Sequence, residues 1–166
     1  MISRLEKNEL NIEKSRHDLN DIINLAISHL SLIVESKNGK ISFDNQAENT
    51  QIVGNETHLI NVFVNILDNA AKYNNNRPQI LIKTKNINDK VIVDIEDNGI
   101  GMTKSVQSKI FDKFYRKQTG DVHDVKGHGL GLAYVKKIID FHNGNINVES
   151  TLGKGSVFSI QLGLFK

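Results

Sequence analysis

The sequence predicts an α+β fold, a two-layer α/β sandwich in which a mixed, mostly antiparallel sheet carries about three helices on one face. Three stretches repeat apolar residues at the three- and four-residue spacing of amphipathic helices. Between and after them, short stretches alternate apolar and polar residues, as half-buried strands do. Strand pairs and helices follow one another in segregated order, without strict strand–helix–strand alternation, which favours helices on a single face of the sheet.

The composition indicates one globular domain. The chain has 166 residues, 39% of them hydrophobic, which is enough to close a single core. It contains no cysteine, which excludes disulfides and thiolate metal sites and favours a reducing, cytoplasmic location. No apolar run approaches the ~20 residues of a membrane helix, and a net charge of +2 is too small to indicate nucleic acid. We therefore expect neither membrane contact nor nucleic-acid binding by this chain.

The first part of the chain leads into a helix. Residues 2–9 have few apolar positions and are predicted to be a short helical piece that belongs to something outside the domain. Residues 11–14 are predicted to form a brief strand. Asp18 then caps a helix that ends at Asn38-Gly39. The apolar face of that helix consists of Leu19, Ile22, Ile23, Ala26, Leu30, Ile33 and Val34.

A second helix follows two short strands. Ile41 and Phe43 alternate with polar residues as in an edge strand, and the run Ile52-Val53 ends at Gly54. Asn55 is placed to cap the next helix. One clean apolar stripe of that helix is formed by Leu59, Val62, Phe63, Ile66, Leu67 and Ala70.

The polar side of this second helix carries Asn61, Asn65, Asn69 and Lys72 in one row. The row is explained either by a solvated face or by a binding site. Asparagine is a poor helix former, and a solvated face would more typically carry Glu, Lys and Arg. We therefore favour a site that uses carboxamide groups.

The main candidate for a binding site is the region of residues 97–132, and the other elements are arranged around it. Strands over residues 80–85 and 91–96, joined across Asn88-Asp89, form a hairpin that delivers Asp97, followed by Gly99 and Gly101, to a strand end. A second glycine cluster, Gly127 to Gly131, lies beyond a basic loop, in which residues 109–116 are predicted to form a short helix. Two glycine-rich turns around a basic loop indicate phosphate binding.

The chain closes with a third helix and two strands. Leu132, Val135 and Ile138 or Ile139 mark a helix that starts near Leu130 and ends before Asn143-Gly144. Residues 145–150 and 156–162 alternate as two strands linked by a glycine-containing turn.

Five ordered motifs resemble the ATP-binding domain of bacterial two-component sensor histidine kinases. They are the row from Asn65 to Tyr73 (NILDNAAKY), Asp97-x-Gly99-x-Gly101, Phe111-x-x-Phe114-x-Arg116, Gly127-x-Gly129-Leu-Gly131-Leu and Gly153-x-Gly155-Ser156. The resemblance covers residues 11–164 and implies the Bergerat-type ATP-binding fold shared with gyrase, Hsp90 and MutL. It divides the chain into residues 1–10, the remnant of a dimerisation and phosphoacceptor helix or linker, and residues 11–166, the catalytic domain.

The resemblance also implies roles for individual residues. Asp97 accepts a hydrogen bond from the exocyclic amine of adenine, where guanine would present an oxygen, and Ser156 supports that end of the pocket. Asn69 is the magnesium ligand, and a carboxamide oxygen suits a hard cation that keeps most of its waters. Lys72, Arg116 and Lys117 contact phosphates. The other expected ATP-binding residues are Asn65, Tyr73, Gly99, Gly101, Phe114, Gly127, Gly129, Leu130, Gly131 and Leu132.

Some of these roles rest on further argument. Tyr73 is placed beside the nucleotide, although a core tyrosine is an equal alternative. Asn65 stands where hydrolysing relatives carry a Glu that activates water, so the site is expected to hold ATP for transfer to another nucleophile. Backbone N–H groups of Gly129 to Leu132 are expected to bind phosphate oxygens, and His123 and His128 to be bystanders.

The expected partners follow from the same resemblance. Mg-ATP is bound here, the γ-phosphoryl passes to a histidine on a separate phosphoacceptor domain, and a response regulator then receives it. His17-Asp18 superficially resembles the phosphoacceptor box, but we reject it because Asp18 is needed as a helix cap, and we predict His17 to be a linker residue. The phosphoacceptor domain is expected to be absent from this chain, so the chain is not expected to autophosphorylate by itself. The full-length kinase is expected to be membrane-anchored.

Two rival functions remain open. One is a serine-directed anti-sigma kinase of the same fold, which the Phe-containing motif and the helical piece at residues 2–9 disfavour. The other is a nucleotide-binding module without catalysis. The sequence departs from the family pattern at Asn55, where Asp is common, and at its last residues, which lack the frequent Leu-Pro.

Overall fold

The computed structural model describes residues 13–113, 115 and 130–166. The expected terminal piece at residues 2–9 lies outside this part of the chain. The helices are α1 (Leu19–Ser36), α2 (Glu56–Lys72), α3 (Lys104–Gln107) and α4 (Gly131–Phe141). The strands are β1 (Ser15–Asp18), β2 (Lys40–Asn45), β3 (Gln51–Gly54), β4 (Gln79–Ile87), β5 (Lys90–Asp97), β6 (Asn145–Thr151) and β7 (Gly155–Gly163). None of the described helices combines the length and the apolar character needed to cross a membrane.

The main sheet confirms the predicted fold class. Its five strands lie in the order β2-β4-β5-β7-β6, and only the β2–β4 pair is parallel. Helices α1, α2 and α4 bury their apolar stripes in the core beneath the sheet. The register places Asp97, the last residue of β5, opposite Ser156 of β7. Two residues predicted to line a site therefore meet at one end of the central strands.

Both predicted helix caps are confirmed. The Asp18 carboxylate accepts a hydrogen bond from the backbone N–H of Asn20 at 2.9 Å, and the Asn55 carboxamide oxygen accepts one from the N–H of His58 at 3.0 Å. The predicted apolar face of α1 is buried except for Ile33, which is 47% exposed. The predicted stripe of α2 is buried throughout. Caps and periodicity together fix where the two long helices begin and which face they bury.

The prediction of a strand over residues 11–14 is wrong in the described part, because Glu13 and Lys14 lie outside any strand and β1 begins at Ser15. Strand β1 pairs antiparallel with β3 in a separate two-stranded sheet. His17, predicted to be a linker residue, lies in this strand opposite Ile52. Arg16 Nε donates to Gln51 Oε1 at 3.0 Å. The strand is thus set by a long-range pairing and not by its own polar sequence.

The other edge of β3 is occupied by the C-terminal residues. Leu164 forms an antiparallel bridge with Ile52, and the backbone N–H of Phe165 donates to the Gln51 carbonyl at 2.7 Å. The Arg16 guanidinium lies over the Phe165 ring, 4.8 Å from its centroid. Strand β3 therefore holds β1 on one side and residues 164–165 on the other.

The helix predicted over residues 109–116 is also wrong in the described residues. The helical segment is α3, four residues long, and residues 108–113 form turns and a bend. Thr103 caps α3 and accepts a hydrogen bond from the Val106 N–H at 3.4 Å. Ile110 is buried, with Phe111 and Tyr115 packed against the core. Core packing determines the conformation of this segment, because its apolar side chains pack inward from turns and not from a continued helix.

Candidate functional site

A pocket of about 120 Å³ opens at the end of the central strands, between the C-terminal end of α2, the residues after β5 and the first turn of α4. Its walls combine a few polar groups with a larger apolar surface, as ligand pockets commonly do. The lining residues are Asn69, Ala70, Tyr73, Asp97, Ile100, Gly101, Met102, Val106, Ile110, Tyr115, Leu132, Ser156 and Phe158. Six of the predicted site residues meet here, namely Asn69, Tyr73, Asp97, Gly101, Leu132 and Ser156.

Asp97 is the polar centre of the pocket. Its Oδ1 accepts a hydrogen bond from the backbone N–H of Gly99 at 2.7 Å. Burial raises the pKa of this carboxyl group, and backbone hydrogen bonds from Gly99 and Ser156 partly oppose that rise. No cation pairs with the carboxylate among the described residues. Asp97 thus offers acceptor capacity to a ligand that donates hydrogen bonds.

Two glycines let the backbone close around Asp97. Gly101 has φ +63°, and a Cβ there would overlap the carbonyl oxygen of Thr151. Gly155 has φ +96°, and a Cβ there would overlap the carbonyl oxygen of Asp97 itself. The segment from Asp97 to Gly101 is held by the Ile100 N–H, which donates to the Tyr73 carbonyl at 2.9 Å. Only glycine fits both positions, because each combines a left-handed backbone with a close approach.

Ser156 lies at the same end of the pocket and is 8% exposed. The Ser150 hydroxyl donates to the Gly155 carbonyl at 2.8 Å and accepts from the Met102 N–H at 2.8 Å. Ser156 Oγ lies 3.0 Å from Ser150 Oγ. Because the Ser150 proton is already used, Ser156 donates in this pair, and its own oxygen retains acceptor capacity toward the pocket.

The polar side chains along α2 do not all face the pocket. Asn69 faces the pocket, and its carboxamide has no hydrogen-bond partner among the described residues. Asn65 instead donates from Nδ2 to the Asn61 carbonyl at 2.7 Å, and its Oδ1 faces Gly131, where a Cβ would lie 2.6 Å from it. Lys72 Nζ pairs with Asp68 Oδ2 at 2.5 Å, and Lys72 does not line the pocket. The phosphate role predicted for Lys72 stays a prediction.

An apolar wall completes the pocket, and the sequence analysis missed it. Met102, Val106 and Ile110 form this wall together with Tyr115. The signal was present, because the first three residues recur every four positions and so share one side of a helical or turn segment. A pocket that combines apolar side chains with a carboxylate suits a planar heterocycle that carries an amino group.

The first turn of α4 closes the pocket on the side of Leu132. Leu130, the N-cap residue of α4, has no side chain that can accept a hydrogen bond. The first backbone N–H groups of this helix therefore have no side-chain cap. Gly99, Leu130 and Gly131 flank the pocket without lining it. The predicted contacts Phe114, Arg116, Lys117, Gly127 and Gly129, the bystanders His123 and His128, and much of the basic loop lie outside the described residues.

The donor set fits a magnesium ion held mainly by water and phosphate. Within the described residues there is no cluster of three or more His, Cys, Asp or Glu side chains that could hold a metal. The unpartnered Asn69 carboxamide oxygen is a single hard ligand at the pocket edge. Mg²⁺ commonly binds through one or two protein oxygens together with substrate phosphates and waters.

Known proteins similar to this chain share one family. Residues 54–165 match the family described as histidine kinase-, DNA gyrase B- and HSP90-like ATPase. The sensor protein RprX of Bacteroides fragilis is 42% identical over 167 residues, which is 99% of this chain and 32% of RprX. The chain therefore spans about a third of the length of this curated relative.

Solved structures agree. The nucleotide-free catalytic domain of histidine kinase ThkA matches with a TM-score of 0.79 and 25% identity, covering 91% of this chain and 95% of that domain. ThkA in complex with the response regulator TrrA matches in fold, with a TM-score of 0.76 and 22% identity over 99% of this chain and 47% of the ThkA chain.

Proposed function

Because this chain belongs to the family of histidine kinase-, DNA gyrase B- and HSP90-like ATPases, we propose that it binds Mg-ATP in the pocket beside Asp97 and donates the γ-phosphoryl group to a histidine. The observation that carries the proposal is the Asp97 carboxylate, which is desolvated, has no cation paired with it among the described residues, and shares its pocket with apolar side chains. An adenine ring fills such a space with its faces against apolar side chains and its amine on the carboxylate. Guanine places an oxygen at that position, and two facing acceptors cost ~1–3 kcal/mol.

The polyphosphate is proposed to run from this pocket along α2 toward the first turn of α4. Asn69 supplies an oxygen for the magnesium ion, and uncapped N–H groups at the start of α4 supply donors for phosphate. Magnesium neutralises phosphate charge when it is bound. Lys72, and Arg116 and Lys117 outside the described residues, are proposed as further phosphate contacts.

The site is proposed to transfer the phosphoryl group to a protein and to spend little of it on water. Among the described lining residues, Asp97 is the only carboxyl group, and it is committed to the base-recognition end. Asn65, on the polar row of α2, has an amide that donates to Asn61 and cannot take a proton from water. In the transfer, the bond from the γ-phosphorus to the bridging oxygen breaks, ADP leaves, and a bond from phosphorus to an imidazole nitrogen forms.

The acceptor histidine is proposed to lie on a separate phosphoacceptor domain, with residues 11–166 as the catalytic domain and residues 1–10 as the end of the preceding helix. A solved structure of similar fold contains a response regulator bound to its histidine kinase. We propose that a response regulator likewise receives the phosphoryl group downstream of this chain and that the full-length protein is membrane-anchored.

Calorimetric titration of the chain with ATP and with GTP, each with Mg²⁺, tests the nucleotide assignment. The proposal expects ATP to bind and GTP to bind about five- to 150-fold more weakly, which corresponds to ~1–3 kcal/mol. A second measurement mixes the ATP-loaded chain with a purified phosphoacceptor domain of a sensor histidine kinase and follows labelled phosphate. Absence of ATP binding overturns the proposal, and ATP binding without transfer to any phosphoacceptor domain favours a nucleotide-binding module without catalysis.

A further inference from the structure

Helix α4 is tied to helix α2 by a hydrogen-bonded contact outside the pocket. The His58 Nδ1 of α2 lies 2.7 Å from the Tyr134 hydroxyl of α4, and their ring centroids are 6.1 Å apart. The Asn61 side chain, almost one turn further along α2, partly opposes the rise in the pKa of the Tyr134 hydroxyl that burial causes. We call these three side chains the Tyr134 anchor. None of them lines the pocket, and His58 and Tyr134 were given no role in nucleotide binding by the sequence.

The Tyr134 anchor acts on the part of α4 that reaches the nucleotide site. The Tyr134 N–H donates to the Leu130 carbonyl at 2.9 Å, so Tyr134 closes the first turn of the helix. Within that turn, Leu132 lines the pocket and Gly131 rests against the Asn65 carboxamide oxygen. The contact at Gly131 has no hydrogen bond and resists only closer approach. The anchor therefore supplies the directional bonds that hold this turn against α2, the helix that carries Asn69.

The hydrogen bonding of the anchor depends on a neutral His58. In the tautomer with its proton on Nε2, neutral His58 accepts the Tyr134 proton at Nδ1. A protonated ring has two donors and no acceptor, so Nδ1 can no longer accept that proton and the His58–Tyr134 hydrogen bond has to reverse its direction. Burial lowers the pKa of His58 and raises the pKa of Tyr134, both of which favour the neutral pair.

None of the charged and titratable groups described around His58 supplies a negative charge that would stabilise protonated His58. On β1, His17 lies 3.9 Å from Glu56, which therefore faces His17. Directly after α4, His142 Nε2 accepts from the Asn55 N–H at 3.0 Å, and the charges of His58 and Lys14 both disfavour the protonation of His142. The Lys14 ammonium donates to the Phe141 carbonyl at 2.7 Å.

We propose that Tyr134 is a positioning residue for the nucleotide site and that His58, through Tyr134, makes nucleotide affinity sensitive to pH. The inference rests on the proposed nucleotide binding at this pocket. With the anchor formed, the first turn of α4 and its N–H groups are already placed for phosphate. When protonation of His58 disrupts this arrangement, nucleotide binding has to order the first turn of α4 again, and nucleotide affinity falls as a result.

The test compares Tyr134→Phe with the wild-type chain in Mg-ATP titrations between pH 8 and pH 5.5. The ratio of the two Kd values is the readout, since titration of ATP and of Asp97 affects both proteins equally. We expect Tyr134→Phe to bind about three- to tenfold more weakly at pH 8, and the ratio to approach one at pH 5.5. His58→Asn, which keeps a neutral acceptor near the Nδ1 position, should bind like the wild type at pH 8 and more tightly than it at pH 5.5.

His29→Gln, on the exposed side of α1, is the control and should follow the wild type at every pH. Thermal unfolding of each variant reports whether it is folded under the titration conditions. A ratio of one at pH 8, or a ratio that stays constant as the pH falls, overturns the inference while the proposed function stands. If the wild-type chain does not bind ATP at pH 8, the proposed function fails, and the inference fails with it.

Discussion

The two ends of helix α2 are built in opposite ways. At its C-terminal end, the Asn69 carboxamide and the Asp97 carboxylate face a pocket with hydrogen-bonding capacity unused among the described residues. At its N-terminal end, Asn55 uses its backbone N–H, its carboxamide oxygen and its carboxamide N–H in three hydrogen bonds. His142 there donates from Nδ1 to the Ile138 carbonyl at 2.7 Å and accepts at Nε2.

The two ends of α2 also differ in how burial affects their titratable groups. Burial raises the pKa of Asp97 and so opposes its charged form, which is the form that an adenine amine needs. Burial lowers the pKa of His142 and supports its neutral form, which is the form its two partners need. The N-terminal end of α2 is thus optimised for stability, whereas the pocket end keeps a costly group for a ligand to satisfy.

The largest expected effect is at the pocket end, where Gly155→Ala adds both backbone strain and an overlap with the Asp97 carbonyl. We expect the free energy of unfolding to fall by about 3 kcal/mol or more in urea titrations. Gly153→Ala is the matched control, because Gly153 also has positive φ but no atom within 4 Å of an added Cβ, so strain alone, about 1 kcal/mol, is expected. Equal losses in the two variants would show that the close approach to Asp97 is unimportant.

Asp97→Asn is expected to separate binding from stability. Loss of the acceptor should weaken ATP binding by about 1–3 kcal/mol, about five- to 150-fold, as measured by calorimetry. Because the folded pKa of Asp97 is raised, its contribution to stability is present below the unfolded pKa and is lost as the pH rises through the folded pKa. The variant should therefore melt at the same or a higher temperature than the wild type at pH 7.

Glu96→Gln is the neighbouring control for Asp97→Asn, since Glu96 is exposed and raises the pKa of Asp97 only through its charge. It should leave ATP affinity within about twofold of the wild type, because surface charges are largely screened. An Asp97→Asn variant that binds ATP as the wild type does would remove Asp97 from base recognition.

At the opposite end of α2, Asn55→Ala should lower the free energy of unfolding by about 1 kcal/mol, since it removes the cap on the His58 N–H. Asn55→Asp keeps a cap acceptor and should lose less. ATP affinity of the folded protein should be unchanged, because Asn55 does not line the pocket. A loss of affinity in Asn55→Ala without a loss of stability would contradict the contrast between the two ends.

The smallest effect is the pH dependence of the N-terminal end. His142 and His58 both have lowered pKa values in the folded chain, so the stability that their neutral forms contribute is complete above the unfolded pKa of 6.5. It is lost progressively as the pH falls below 6.5 toward the folded pKa values. Urea unfolding between pH 8 and pH 5 should show this decline, and His142→Asn should reduce the decline. A stability that is flat over this range would contradict the assignment.

Local signals predicted much of the fold. Asp18 and Asn55 each precede an apolar stripe of helical period, and both caps are where the sequence places them. The hairpin turn was equally clear, with Asn88 at φ +54° between two alternating strands. Strand β1 was displaced because its four residues have no apolar pattern, and only the distant strand β3 determines where it pairs.

The site was predicted only in part, because local sequence signals reveal some of its residues and not the contacts between distant elements. Asp97 stood out as a carboxylate at a strand end followed by glycines, and it lies at the centre of the pocket. Met102, Val106 and Ile110 did not, because apolar residues in a turn look like core until the structure shows a cavity beside them. The contact of the Asn65 carboxamide oxygen with Gly131 depends on the approach of α4, which no local pattern reveals.

The small sheet has a consequence for the order of the chain. Strand β1 and residues 164–165 lie on the two edges of the same strand, β3, so the first and last described elements are neighbours in space. A short polar loop could join them, and new termini could open at the Asn88-Asp89 turn, where the chain is exposed between two strands. Such a circular permutant would keep every strand pairing of the described residues, because a cut at this turn lies between β4 and β5 and not within either strand.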